Sequence, residues 1–302
     1  MPQTSPPAES SPAASADAPP AAQDGWPGGL PALRAELDRI DDEIHTLLRE
    51  RARVVEHVAR SGKPAAFRPG REASIVRRLL RQHEGRLPRL TLFRIWREML
   101  AGTTGMQANF LVAVAAGSTG DSLSQLAREH FGALTPLRVL GSAGQALNEV
   151  RTGSASVAVL PLPTDGDAPR DAWWTSLQQR DQRLHIIARL PFWTVRPEGA
   201  PTEQALVVAA SAPDASGEDR AFLAFELDAA TSRARIASEL AAAGFAPVSI
   251  VSCRTPGAPD AQVLVEVEGA VPEGDTRLAS LSPLFRHTLL LGGYAIPVGA
   301  EP

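Results

Sequence analysis

LPALRAELDRIDDEIHTLLRERARVVEHVARSG, residues Leu30 to Gly62, places apolar side chains at Leu30, Leu33, Leu37, Ile40, Ile44 and Leu47, and again at Val54 and Val58. The steps alternate three and four, the seam of a long amphipathic helix. Between Leu47 and Val54 the beat falls on Arg51, so a guanidinium stands where a core leucine is expected, and Arg34 borders the same stripe. At about 1.5 Å per residue such a helix runs on the order of 45–50 Å. That is too long for a compact domain of the size that follows, so the helix is expected to pack against a second copy of itself. Arginines on the buried face of a helix pair suggest an anion site inside a helical dimer.

The 302 residues imply two or three domains. With 30 basic and 34 acidic residues the chain is mildly acidic, which argues against a general nucleic-acid or membrane binder. The basic residues are uneven: Arg49 to Arg97 holds 14 of the 30. A surface RNA-binding patch would need aromatic interleaving, which is scarce there, so an anionic small-molecule site with solvated helix faces is the better account. The single Cys253 excludes an intrachain disulfide framework and fits a reducing compartment. It reads as a buried or incidental thiol. The six histidines are scattered, and no metal site is expected. No apolar run has the length of a membrane span, and the N-terminus lacks the basic and apolar regions of a signal peptide, so the expected location is cytoplasmic. Lys63 is the only lysine; every other basic residue is arginine.

Residues 1–28 contain seven Pro, seven Ala and four Ser, a composition that buries too little surface to offset its ordering entropy and is expected to be disordered. The long helix should end near Ser61-Gly62, with Pro64 beyond it. Phe67-Arg68-Pro69-Gly70 signals a turn. A second helix is expected from about Arg71 to His83, on an apolar face of Ile75, Val76, Leu79 and Leu80. Gly85 and Pro88 break the chain again. A third helix is expected over roughly Thr91 to Asn109, with Leu92, Trp96, Met99 and Met106 on one side and Thr103 and Gln107 sharing it. Arg34, Arg51, Thr103 and Gln107 thus interrupt apolar faces, and buried polar groups need partners from protein, water or ligand.

These residues resemble the all-helical class of chorismate mutases over roughly residues 30–108. LxxLRxxLDxIDxEIxxLLxER corresponds to Leu30 through Arg51, RPxRE to Arg68 through Glu72, and the ending to Thr103 and Gln107. The resemblance implies a dimer paired through the first helix, with Arg34 serving the partner's site and Arg51 its own. It implies the rearrangement of chorismate to prephenate in phenylalanine and tyrosine biosynthesis, a one-substrate pericyclic step that needs no nucleophile, metal or cofactor. Arg34 and Arg51 would clamp the carboxylates with Thr103 assisting, Gln107 and a lysine would address the ether oxygen, and Glu72 would orient the lysine and the ring hydroxyl, with Arg71 beside it. The match departs from the family in one place. Ungapped alignment puts the family's lysine at Gly62, one residue before Lys63. Either the helix end shifts to present Lys63 or the ether-oxygen cation is missing; retention of the sole lysine here favours the first. A second departure is Arg68, where acidic residues can occur.

From Phe110 the pattern turns α/β. Phe110 to Ala116 reads as a strand, Gly117 to Gly120 as a turn, Leu123, Leu126 and Ala127 as the face of a helix, and Val157 to Leu160 as a strand. GSTGDSLSQLAREHFG and ALNEVRTGSASVAVLPLP resemble the first lobe of prephenate dehydratase. Where that family has Pro-Ile-Glu-Asn-Ser this chain has Pro161-Leu162-Pro163-Thr164-Asp165, its second lobe is mostly absent between Phe192 and Ala205, and its catalytic Thr-Arg-Phe is not evident. From about Ala205, strands at Ala221–Glu226, Val248–Ser252 and Val263–Gly269 alternate with helices at Thr231–Ala243 and Thr276–His287. This βαββαβ pattern is similar to an ACT regulatory domain, supported by LVEVEG and LGGYAIPV. No phenylalanine-binding segment is recognisable at Leu227 to Arg235.

The expected molecule is therefore multidomain: a tail at 1–28, an all-α three-helix dimeric mutase domain at 29–108, a degenerate dehydratase-like α/β lobe at 109–200 and an α+β ferredoxin-like (ACT-like) domain at 201–302. The expected function is chorismate mutase with a non-catalytic C-terminal module. The rivals are a non-catalytic regulator binding an aromatic metabolite and a bifunctional mutase–dehydratase.

Overall fold

The computed structural model describes residues 29–61, 67–116, 121–179 and 183–299. The expected tail at 1–28 and the Lys63 position lie outside the described residues. Packing divides the chain into two units, Met1–Arg53 and Val54–Pro302. The second and third helices therefore group with the α/β part, and residue 108 is not where the packing divides the chain.

Helix α1, Gly29–Arg60, is one continuous helix, as its three-four spacing predicts. None of its residues is buried. Arg39 pairs with Glu36 at 2.6 Å and with Glu43, and Arg60 lies 3.5 Å from Glu56. Such exposed pairs are screened by solvent and contribute little to stability. The helix thus carries an uncovered apolar stripe, with Leu30 59%, Leu37 60% and Leu47 63% exposed.

In the second unit, α2 (Pro69–Gln82) begins with proline, whose fixed φ and missing N–H suit a first turn. Helix α3 (Arg89–Gly105) buries Phe93, Arg97, Leu100 and Thr104, one residue round from the expected Leu92–Trp96–Met99 face, whose members are half-buried. Phe93 and Leu100 share a core with Ala73, Val76 and Leu80 of α2 and with Phe192, Trp193 and Ala295 from far along the chain. That distant apolar partner surface turns the helix.

The sheet has nine strands. Strand β1 (Val112–Ala115), helix α4 (Ser122–Phe131), β2 (Leu137–Leu140), α5 (Ala143–Arg151) and β3 (Val157–Pro161) form a parallel β2-β1-β3 layer. Alternation sends Val112, Val114, Val157 and Val159 to the α4 face and Ala113, Ala115, Ala158 and Leu160 to the α5 face. Strands β4 (His185–Leu190) and β5 (Ala205–Ala209) extend this layer antiparallel, β5 lying between β3 and β4. The sheet thus runs through the expected boundary at residue 200.

Strand β6 (Asp219–Asp228), helix α6 (Arg233–Ala242), β7 (Pro247–Cys253), β8 (Asp260–Glu268), α7 (Thr276–Ala279) and β9 (Arg286–Ala295) follow. Their order is β9-β6-β8-β7 with every neighbouring pair antiparallel, the ferredoxin-type βαββαβ arrangement. The helix expected over Thr276–His287 stops at Ala279, and Arg286 and His287 belong to β9. Pro283 cannot continue a helix and terminates it. One face of this half is covered by α6, through Ile236 and Leu240, and the other by a loop carrying the 3₁₀ turn Trp173–Gln178, whose Trp173, Trp174 and Leu177 pack on Phe222, Ala224 and Leu264.

Two features weld the halves into one sheet. Gly292 pairs with Ile186 where β9 runs parallel to β4, with φ +121° and so little room that a Cβ would lie 2.2 Å from the Ile186 carbonyl oxygen. Only glycine permits that approach. The buried Glu266 of β8 accepts from Arg189 of β4 at 3.1 Å, Arg220 of β6 at 3.3 Å, Ser249 of β7 at 2.9 Å and the Tyr294 hydroxyl of β9. Burial, reinforced by that carboxylate, pushes the Tyr294 hydroxyl up to about 12.

Candidate active site

The residues expected to hold the substrate fall on three helices. Arg34 is exposed and Arg51 half-buried on α1. Both belong to the first unit, whose described residues all lie on α1 and none of which is buried.

At the end of α3 two of the expected residues lie side by side. Thr103 Oγ1 donates to the Met99 and Leu100 carbonyls, both at 3.0 Å, and Gln107 Nε2 donates to the Thr103 carbonyl at 3.1 Å. The helix ends at Gly105, but the Gln107 amide still donates to Thr104 O at 3.0 Å, so the chain keeps Gln107 one turn beyond Thr103. A hydroxyl and a carboxamide are thus presented together, half-buried, at the end of α3.

The start of α2 carries Arg71 and Glu72. The Arg71 side chain is exposed, while its backbone N–H donates to Asp214 Oδ2 at 3.0 Å. Glu72 is 6% exposed and paired with Arg97 Nη1 at 2.8 Å. The same guanidinium donates Nε and Nη2 to the His130 carbonyl at 3.0 and 2.7 Å. Glu72 is therefore held in one rotamer by a buried, charge-assisted contact. His130 itself is 6% exposed, its ring between Phe67 and Phe131, and among the described residues neither ring nitrogen has a partner. Burial, with Arg97 adding to it, drives its pKa well below the usual imidazole value, so the ring is neutral.

Arg97 and Asp214 were not singled out by the sequence pattern. For Arg97 the signal was present: Phe93, Arg97, Leu100 and Thr104 step by four, three and four. Nothing local marks Asp214, which lies 144 residues from the Gly70 amide it caps. Cys253 is buried and its thiol is pushed up by burial, with Asp167 adding to it, which keeps it protonated and unreactive.

A family model described as chorismate mutase type II matches residues 33–108, the segment in which Arg34, Arg51, Glu72, Thr103 and Gln107 lie. Residues 33–108 are a chorismate mutase type II domain. Four curated relatives are each named bifunctional chorismate mutase/prephenate dehydratase. That of Pseudomonas aeruginosa is 27% identical over 141 residues, covering 44% of this chain and 38% of its own length; that of Aquifex aeolicus is 30% identical over 140 residues, with the same coverage. The aligned share exceeds what the mutase domain can supply, so the likeness continues outside it. The chain spans 38% of the length of the relatives it matches. Among solved structures, a prephenate dehydratase in complex with L-Phe from Arthrobacter aurescens covers 64% of this chain and 93% of its own at 15% identity and a TM-score of 0.46. A quorum-quenching acylase, GqqA, covers 61% and 94% at 19% identity and the same TM-score.

Outside the mutase domain a concavity of about 540 Å³ opens at the carboxyl ends of β1, β2 and β3, lined by Gly141, Ser142, Pro161, Arg170, Trp173 and Glu203 among others. This is the point where the strand order reverses, the usual ligand position in an open α/β sheet. Among the described residues no helix is long and apolar enough to cross a membrane.

Proposed function

We propose that the chain rearranges chorismate to prephenate. The observation that carries this reading is the family match over residues 33–108. In a pericyclic step the bonds break and form within one molecule, so the protein's work is to hold the reactive conformer and to stabilise negative charge on the ether oxygen as its C–O bond opens. Arg34 and Arg51 take the two carboxylates, to which a planar guanidinium fork is matched, and Thr103 assists. Gln107 donates to the ether oxygen together with Lys63. Glu72, whose Oε2 accepts from Arg97, is assigned to orient Lys63 and the ring hydroxyl, with Arg71 beside it. The exposed apolar stripe of α1 supports pairing with a second copy of the chain, in which Arg34 enters the partner's site and Arg51 its own.

A cation at the ether oxygen acts chiefly in the transition state, so Lys63→Ala should lower kcat more than it raises KM, by about 10²–10³ in kcat. Lys63→Arg should recover only part of the loss. Near wild-type kcat in Lys63→Ala would transfer the ether-oxygen contact to Gln107 alone.

A second reading is favoured by the 540 Å³ cleft and by the names of the relatives: the α/β body dehydrates prephenate as well. The missing Pro-Ile-Glu-Asn-Ser and Thr-Arg-Phe motifs weigh against it, and the body is the better candidate for an ACT-like regulatory or assembly module. Incubation with prephenate at neutral pH separates the two: phenylpyruvate above the buffer rate would establish the bifunctional enzyme.

A further inference from the structure

Helices α2 and α3 are bound to the α/β body by polar contacts that an independent helical domain would not need. The side chain of the residue preceding α2, Arg68, makes no cap to the helix. The orphan N–H groups of the first turn are instead taken by Asp214, from the loop between β5 and β6: Gly70 N donates to Oδ1 and Arg71 N to Oδ2, both at 3.0 Å. The carboxylate also meets the positive end of the helix dipole and the Arg68 guanidinium at 3.3 Å. Gly70 is required for this approach, because a Cβ there would lie 2.0 Å from the Asp214 carbonyl oxygen. About two turns on, the buried Arg77 donates to Ser216 Oγ at 2.8 Å and to the Glu218 carbonyl at 3.0 Å. Asp219 holds that loop in shape by accepting from the Ser216 and Gly217 amides, both at 2.9 Å.

The residues so anchored are the ones the mutase reading needs in place. Arg71 is fixed through its backbone by Asp214, and its neighbour Glu72 through its side chain by Arg97, which in turn is seated on the His130 carbonyl of α4. Resting on that reading, we propose that Asp214 and Arg97 are positioning residues for the mutase site. The α/β body sets where Arg71 and Glu72 stand, and the rearrangement depends on a part of the chain outside the mutase domain. Neither residue touches substrate; each acts through α2.

The test compares three full-length variants by chorismate kinetics and thermal unfolding. Asp214→Asn keeps the side-chain shape but turns one acceptor into a donor facing the Arg71 N–H and Arg68. It should lower kcat about tenfold or more, since misplacing a group by about 1 Å can cost up to 10²-fold, with a smaller change in KM. Asp214→Glu, which restores the charge, should recover part of it. Ser216→Ala loosens the same interface at Arg77 and should lower the unfolding midpoint while leaving kcat within about twofold of wild type, because it leaves both anchors in place. Equal midpoint losses in Asp214→Asn and Ser216→Ala, with kcat unchanged in both, would reduce Asp214 to a structural contact and overturn the proposal. A wild-type chain without chorismate turnover would instead overturn the mutase reading, and the proposal with it.

Discussion

At the scale of single residues, the Glu72–Arg97 pair ties an expected site carboxylate to the fold. Both side chains are more than nine-tenths buried, and breaking such a pair strands a charge. Arg97→Ala should destabilise the chain by about 3–5 kcal/mol. The double variant Glu72→Gln with Arg97→Met should be less destabilised than the sum of the single changes; strict additivity in urea unfolding would deny the coupling. His130 supplies a pH dependence. Its folded pKa lies well below 6.5, so the folded state resists a proton that the unfolded state accepts. Its contribution is complete above pH about 6.5 and is lost as pH falls toward the folded pKa, by up to about 1.4 kcal/mol per pH unit. His130→Leu should flatten the decline in stability between pH 7 and 5.5; His185, whose pKa is also lowered by burial, should leave a residual slope. An unchanged slope would show that His130 takes up its proton in the folded chain. The motif arginines and Glu72 were singled out because motif spacing is local. The partners that bury Glu72 were not, since they come from α3 and α4 packing against the sheet.

At the scale of elements, periodicity carried most of the reading. The continuous α1 follows from a repeat sustained over eight apolar positions, and the βαββαβ succession of the last hundred residues from alternation and turn spacing, whereas the strand order β9-β6-β8-β7 is set by packing. Two elements were misread for the same physical reason. The buried face of α3 and the true ends of α7 and β9 depend on what they pack against, which no local period encodes. The junction of β4 with β9 was equally invisible, because it rests on a glycine whose value is the missing side chain. Gly292→Ala should cost roughly 3 kcal/mol or more, as overpacking with backbone displacement does. Gly257→Ala, at φ +79° but in open space, should cost only about 1–2 kcal/mol. Equal losses in thermal unfolding would show that the conformation, and not the contact with Ile186, sets the penalty.

At the scale of the whole molecule, one helix displays an apolar face while the other two are built into a nine-stranded α/β body. The sequence suggested a helical domain at 29–108, and the family match covers 33–108, while α2 and α3 share a core with residues from far along the chain. If α1 pairs with its copy, sedimentation should find a dimer that Leu37→Glu together with Leu47→Glu dissociates; a wild-type monomer would remove the basis for a shared site. Mixing Arg34→Ala with Arg51→Ala subunits should then restore one intact site per heterodimer, and no recovery after verified exchange would put both arginines in one protomer's site. The most direct measurement is the loss of chorismate absorbance on adding the purified full chain, with prephenate identified as the product. The account predicts metal-independent turnover that Arg51→Ala abolishes, and a folded full-length chain that leaves chorismate unchanged would contradict it.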